Sequence, residues 1–229
     1  MRQIVLDTET TGLDPKQGHR IVELAAVEMK NRRLTGNRFH RYLNPEREID
    51  AKAQEIHGLS RGFLEDKPKF CDIALEFLDF VRGGELVIHN APFDLSFLDA
   101  ELGLLDLPEM TSYCAVVDTL VMAKELHPGK RNNLDALCER YAIDNAKRTL
   151  HGALLDAELL AEVYLAMTRG QESLNMELEG THSDEIGAFE RRLFVQRADA
   201  EELAAHVEQL QDIDKAAKGG CLWNGLNGV

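Results

Sequence analysis

Asp7 and Glu9 close the apolar run Ile4-Val5-Leu6, with only Thr8 between them. In an extended backbone residues two apart project to the same face, so both carboxylates aim at one point beyond the run. Two unpaired carboxylates in a half-buried site repel and resist ionisation. The arrangement demands cations, and hard oxygen donors favour magnesium or manganese over zinc. The same residues also read as a strand followed by an acidic turn, and the remaining carboxylates decide between the two readings.

Asp94 follows His89-Asn90-Ala91-Pro92-Phe93, a strand end running into a helix. Asn90 suits the cap, Pro92 the first turn, and Asp94 then lies where the helix dipole favours an anion. Phe97 and Leu98, three and four residues on, place that carboxylate on the inward face. Asp156 repeats the pattern in His151-Gly152-Ala153-Leu154-Leu155-Asp156, in line with Leu159, Leu160 and Val163. His151 stands before or at the first turn of that helix, free to reach over a site and able to change protonation near neutral pH. Four carboxylates on three separate elements, each abutting apolar sequence, point to a shared metal centre.

The elements that must position these groups can be traced along the chain. A turn over 13–18 follows the first strand, and Ile21 to Met29 reads as a second strand, although Ile21, Leu24 and Ala25 also suit a helix. Phe39 to Leu43 reads as a third strand ending at Asn44-Pro45, so the front half suggests an antiparallel meander. Residues 49–63 break into short pieces. Phe70 to Val81 has helical periodicity stopped by Gly83-Gly84, and Leu86 to Ile88 is a buried strand. Tyr113 to Asp118 reads as a fifth strand, with Asp118 a cap or turn residue rather than a ligand. A helix from Thr119 ends near His127-Pro128-Gly129, Asn132 or Asn133 caps another over Leu134 to Tyr141, and the last runs to about Thr168.

With 229 residues, 44% of them apolar, the chain suits one domain plus an appendage. No apolar stretch is long enough for a membrane span and no signal-peptide core is present, so a cytoplasmic protein is expected. Cys71, Cys114, Cys138 and Cys221 show neither redox nor zinc-ligand spacing. The net charge of −14 excludes indiscriminate binding of nucleic acid. A polyanionic substrate would have to be held locally, by metal ions, by a few basic side chains, or by a partner.

The ordered trio Asp7-Thr8-Glu9-Thr10-Thr11-Gly12, His89 to Asp94 and His151 to Asp156 resembles the DEDD-type exonucleases of the His-containing subclass. That resemblance implies an α/β, ribonuclease-H-like fold over residues 1–170, a mixed five-stranded sheet flanked by helices. It implies two divalent cations, Mg2+ or Mn2+, one held by Asp7, Glu9 and Asp156 and the second by Asp7 and Asp94. His151 would be the general base, and the reaction would release nucleoside 5′-monophosphates from a 3′ end. Thr10, Thr11 and Gly12 would approach the terminal nucleotide together with Asp7, Glu9 and Asp156. His57 matches a substrate-contacting histidine of relatives. Lys52 stands where some relatives carry a glutamate, and could meet a phosphate.

The tail narrows the resemblance. Gln171, Leu174 and Met176 are spaced like a sliding-clamp-binding peptide, and 171–198 reads as that peptide plus a tether. Residues 199–229 read as a docking tail, flexible without partners, with Leu203, His206, Val207 and Leu210 on one helix face and Leu222 and Trp223 near its end. This tail is similar to that of the proofreading subunits of bacterial replicases of the polymerase III type, where it docks on the alpha-type catalytic subunit; a small accessory subunit is a further possible partner. The extension 224–229 has no assigned role. Alternatives are a stand-alone RNA or DNA exonuclease, and a non-catalytic bridge between polymerase and clamp.

Overall fold

In the computed structural model, which describes residues 1–146, 148, 150–169 and 199–216, the apolar run around Val5 becomes the strand β1 (Arg2–Thr10). It pairs antiparallel with β2 (Ile21–Lys30), which pairs antiparallel with β3 (Arg33–Tyr42). On its other side β1 lies parallel to β4 (Glu85–Ile88), and β4 lies parallel to β5 (Ala115–Asp118). The spatial order β3, β2, β1, β4, β5 puts β1 at the centre of a mixed five-stranded sheet, the expected fold class.

Side-chain alternation along β1 feeds two cores. Ile4 and Leu6 join Phe70, Phe77, Phe97 and Leu98, supplied by α3 (Phe70–Val81) and α4 (Ala91–Gly103). Val5 faces the opposite side with Val27, Met29 and Val87. That side is covered by α5 (Thr119–Leu126), α6 (Leu134–Tyr141) and α7 (Ala153–Met167). Residues 49–63 resolve into α1 (Ala51–His57) and α2 (Arg61–Leu64).

Ile21 to Lys30 is a strand, not a helix, because it is held between β1 and β3 by ladders on both edges. β3 begins at Arg33 rather than Phe39; its first six residues are exposed and only Leu34 among them is a large apolar residue, so no apolar alternation marks them in the sequence. Asp118 caps α5 by accepting from the backbone N–H of Leu120 and Val121, and Asn133 caps α6 through Ala136 N–H. Asn90 is corrected: its side chain caps nothing, and its backbone is left-handed at φ 66°. Asparagine tolerates that conformation, and the peptide N–H of Asn90 bonds the Asp118 carboxylate instead.

Residues 1–180 and 181–229 form separate units. In the second, α8 (Ala200–Ala216) matches the helix expected there, with Leu203 and Val207 exposed. Gln171, Leu174, Met176, Leu222 and Trp223 lie outside the described residues. Among the described residues no helix is long and apolar enough to cross a membrane.

Phe77 is fully buried beneath the sheet, whereas Leu75 on the same helix is 70% exposed. Phe77→Ala should cost about 3–5 kcal/mol in denaturant unfolding, and Leu75→Ala less than about 0.5 kcal/mol. Equal losses would mean that α3 presents a different face to the core.

Candidate active site

β1 outruns its parallel neighbour: pairing with β4 ends at Val5–Val87, so Asp7 and Glu9 project into the crevice beyond the carboxyl end of β4. Such crevices are where open α/β sheets place their ligands. Asp7 and Glu9 share the face of Val5, the side covered by α7. A register shift between Glu9 and Thr10 breaks the ladder next to them, a bulge of the kind that re-aims side chains beside active sites. Asp94 enters from the first turn of α4 and Asp156 from the first turn of α7. All four carboxylates line one cavity of about 570 Å³.

Burial is what makes this cluster reactive. Asp94 is pushed up to about 7 by desolvation, even though the Thr8 hydroxyl donates to its Oδ1 at 2.7 Å and favours the charged form. Desolvation, then the neighbouring Asp156 and Glu23, push Glu9 up to about 8. Asp7 is raised well above the carboxylate range by burial, then by Asp94, Glu9 and Asp156. Cations favour the ionised forms, and the donors converge for one: ligand atoms of Glu9, His151 and Asp156 lie within 4.8 Å of one another. An oxygen-rich, charge-starved donor set of this kind fits hard divalent ions.

His151 is held at this edge by its backbone, which donates to Ile56 O at 3.0 Å, while its Nδ1 lies 3.5 Å from Asp156. Burial and then Arg148 lower its pKa, so the ring is neutral at pH 7 and able to accept a proton.

Thr10, Gly12, Lys52 and His57 also line the cavity. His57 is buried, takes Leu59 N–H on Nδ1, and has no hydrogen-bond partner on Nε2 among the described residues. Thr11 does not line the cavity; its hydroxyl meets His19 Nδ1 and Arg20 N–H. Gly12 is glycine for a reason besides nucleotide approach, since a Cβ there would lie 2.3 Å from the His19 ring.

Sequence reasoning misses three groups. Arg148 forks onto Asp156, its Nε 2.6 Å from Oδ1 and its Nη2 2.8 Å from Oδ2. Asp135 takes Arg148 Nη1 at 2.7 Å. Glu23, buried on β2, accepts from Ala153 N–H at 3.2 Å and so serves as a remote cap for α7, whose own capping residue, Gly152, has no side chain. No periodicity or capping pattern in the sequence marks any of the three.

A mixed sheet with this acidic cavity at its carboxyl edge defines a divalent-metal-dependent exonuclease, and a family model described as Exonuclease matches residues 4–164. The chain is 54% identical to DNA polymerase III subunit epsilon of Salmonella typhimurium, and 52% identical to that of Escherichia coli. Each alignment spans 236 positions and covers 97% of both chains. Exonuclease X in complex with 5′ overhanging duplex DNA is similar at 26% identity and TM-score 0.58, over 73% of this chain and 92% of that one. The nuclease domain of a DEDDh-family 3′-exonuclease bound to rAMP shares the fold at 18% identity and TM-score 0.59, over 74% and 92%. This chain belongs to the DNA polymerase III subunit epsilon family, the 3′–5′ proofreading exonuclease subunits of that polymerase.

The raised carboxylates give a signed pH dependence. The folded chain keeps protons on Glu9 and Asp94 that the unfolded chain has already released, so their contribution to stability is full in acid and is lost as pH rises through about 7 to 8. Thermal melts of chelator-treated protein should therefore fall between about pH 4 and 8 and level off above, and Mg2+ should restore most at the alkaline end. A Mg2+ effect independent of pH would contradict the protonated cluster.

Proposed function

We propose that the cavity hydrolyses the 3′-terminal phosphodiester of DNA and releases nucleoside 5′-monophosphates, using two Mg2+ or Mn2+ ions. The convergence of Asp7, Glu9, Asp94, Asp156 and His151 on one cavity supports this reading above all else. Asp7, Glu9 and Asp156 would hold one ion, and Asp7 with Asp94 the other. Bound there, the ions would supply Lewis-acid clamping of the attacking and leaving oxygens and offset the charge of the phosphodiester.

The chain's own groups supply the rest. His151, neutral at working pH, takes the proton of the attacking water. Thr8 orients the Asp94 carboxylate by donating to it. Lys52, exposed on α1, offers a charge to a backbone phosphate, and His57 lines the cavity where the terminal nucleotide would lie. Leu13 and Ile56, exposed at the cavity, give the terminal base an apolar surface beside Thr10 and Gly12.

Association with the polymerase catalytic subunit through Leu222 and Trp223, and with the sliding clamp through Gln171, Leu174 and Met176, completes the reading. A small accessory subunit is a further partner, and the setting is cytoplasmic. The charge of −14 supports it, since a chain this acidic leaves the main grip on DNA to others.

On a primer with a mispaired 3′ end, Asp7→Ala/Glu9→Ala should abolish Mg2+-dependent nucleotide release; degradation equal to wild type would sink the metal-ligand assignment. His151→Ala should retain metal binding while the rate drops by about 10²- to 10⁴-fold. A loss below that range would remove His151 as the base. Deletion from Asp199 onward should abolish binding to the polymerase subunit and leave nucleotide release intact, and undiminished binding in a pull-down would refute the docking role.

A further inference from the structure

Arg148 stands among the groups assigned to catalysis, and every nitrogen of its guanidinium has a protein partner. Nε and Nη2 fork onto the two oxygens of Asp156 at 2.6 and 2.8 Å, Nη1 donates to Asp135 at 2.7 Å, and Nη2 also lies 3.0 Å from His151 Nδ1. A guanidinium carries donors only, so His151 Nδ1 is the acceptor in that contact and the ring proton sits on Nε2. The lone pair that could take a proton from water is thereby committed to Arg148. Both oxygens of Asp156 are committed as well, in a pair whose side chains are 7% and 4% exposed.

We infer that Arg148 is a positioning residue that competes with the divalent cation for Asp156 and withholds the His151 lone pair until an ion takes its place. The inference rests on Asp156 being a metal ligand. In a cavity this sheltered, a guanidinium and a divalent ion on one carboxylate repel with little screening, so they exclude one another. Asp135 gives the displaced side chain somewhere to stay. It already accepts Nη1, and its own side chain is 54% exposed, so Arg148 can swing toward solvent without losing its charge partner. One exchange then does two things: it opens Asp156 to the ion and frees the base. Ion binding and base activation are coupled through a single side chain.

The test is calorimetric titration of the chelator-stripped full chain with Mn2+, together with nitrogen NMR of the His151 ring before and after Mg2+. Arg148→Ala should bind Mn2+ about tenfold tighter than wild type, the scale of one charge-assisted bidentate pair removed from competition. Arg148→Lys, which keeps the charge and loses the fork, should fall between and carries the comparison if Arg148→Ala does not fold. In stripped wild type the His151 proton should reside on Nε2 and Nδ1 should carry the shift of an acceptor bonded to a guanidinium; the proton should stay on Nε2 in Arg148→Ala and on adding Mg2+ to wild type, while that Nδ1 shift is lost. Unchanged or weaker Mn2+ binding in both variants, or a His151 Nδ1 shift indifferent to Arg148, overturns the inference. Asp156→Asn separates the two levels. If it binds Mn2+ like wild type, the ligand assignment falls and the inference with it; if it loses a site while the Arg148 variants do not differ from wild type, only the inference falls.

Discussion

Four carboxylates gathered at one cavity repel one another and are desolvated, and most of what surrounds them reduces that cost without removing it. Asp94 and Asp156 sit in the first turns of α4 and α7, where the helix dipoles favour negative charge. Thr8 donates to Asp94, and Arg148 to Asp156. Glu9 has no such help and faces Glu23 across the β1–β2 ladder, which is consistent with its pKa standing as high as about 8. The residual repulsion is functional. A cluster neutralised by the protein alone would have no reason to recruit ions.

Precision in this cluster depends on three elements meeting at one corner of the sheet. β1 is central and paired on both sides, so Asp7 and Glu9 are carried by the part of the fold least free to move. α7 packs across β1 and β2, with Leu160 and Val163 in the same core as Val5 and Val27. Its first turn would still be loose, since Gly152 leaves it without a side-chain cap. Glu23 closes that gap from β2, itself bonded to His40 Nε2 at 2.7 Å, and ties the end of α7 that bears Asp156 to the strand beside Glu9. Glu23 is thus both a source of the charge that raises Glu9 and the anchor of the helix that brings Asp156 to meet it.

The legibility of the site in the sequence follows from how local each signal is. Asp7 and Glu9 are readable because a period of two and an apolar run are properties of one strand. Asp94 and Asp156 are readable because inward aim within a first turn needs only the residues three and four further on. Arg148 is not, lying in a stretch without periodicity and gaining its role only through contacts with Asp156, eight residues on, and Asp135, thirteen residues back. The surroundings of Thr11 are hidden for a related reason: the bulge after Glu9 interrupts alternation, and the hydroxyl turns to His19 and Arg20. The sheet is legible at its buried strands and poorly legible at β3, whose first half is exposed edge and carries no apolar code. The family resemblance adds the topology, which periodicity alone leaves open between several arrangements of the same strands.

The same repulsion links catalysis to substrate entry. A phosphodiester brought into this cavity adds negative charge to a site already short of cations, and so a DNA end and divalent ions each make room for the other electrostatically. Lys52 stands at the α1 side of the cavity and Arg148 at the α7 side, but the second is engaged by Asp156 and Asp135 and is not free to receive a phosphate while those bonds hold. A net charge of −14 also works against gathering DNA ends by attraction at a distance. The proposed docking on the polymerase subunit would supply that delivery, and the acidity of the chain then has a use: it disfavours DNA that is not handed in with its ions.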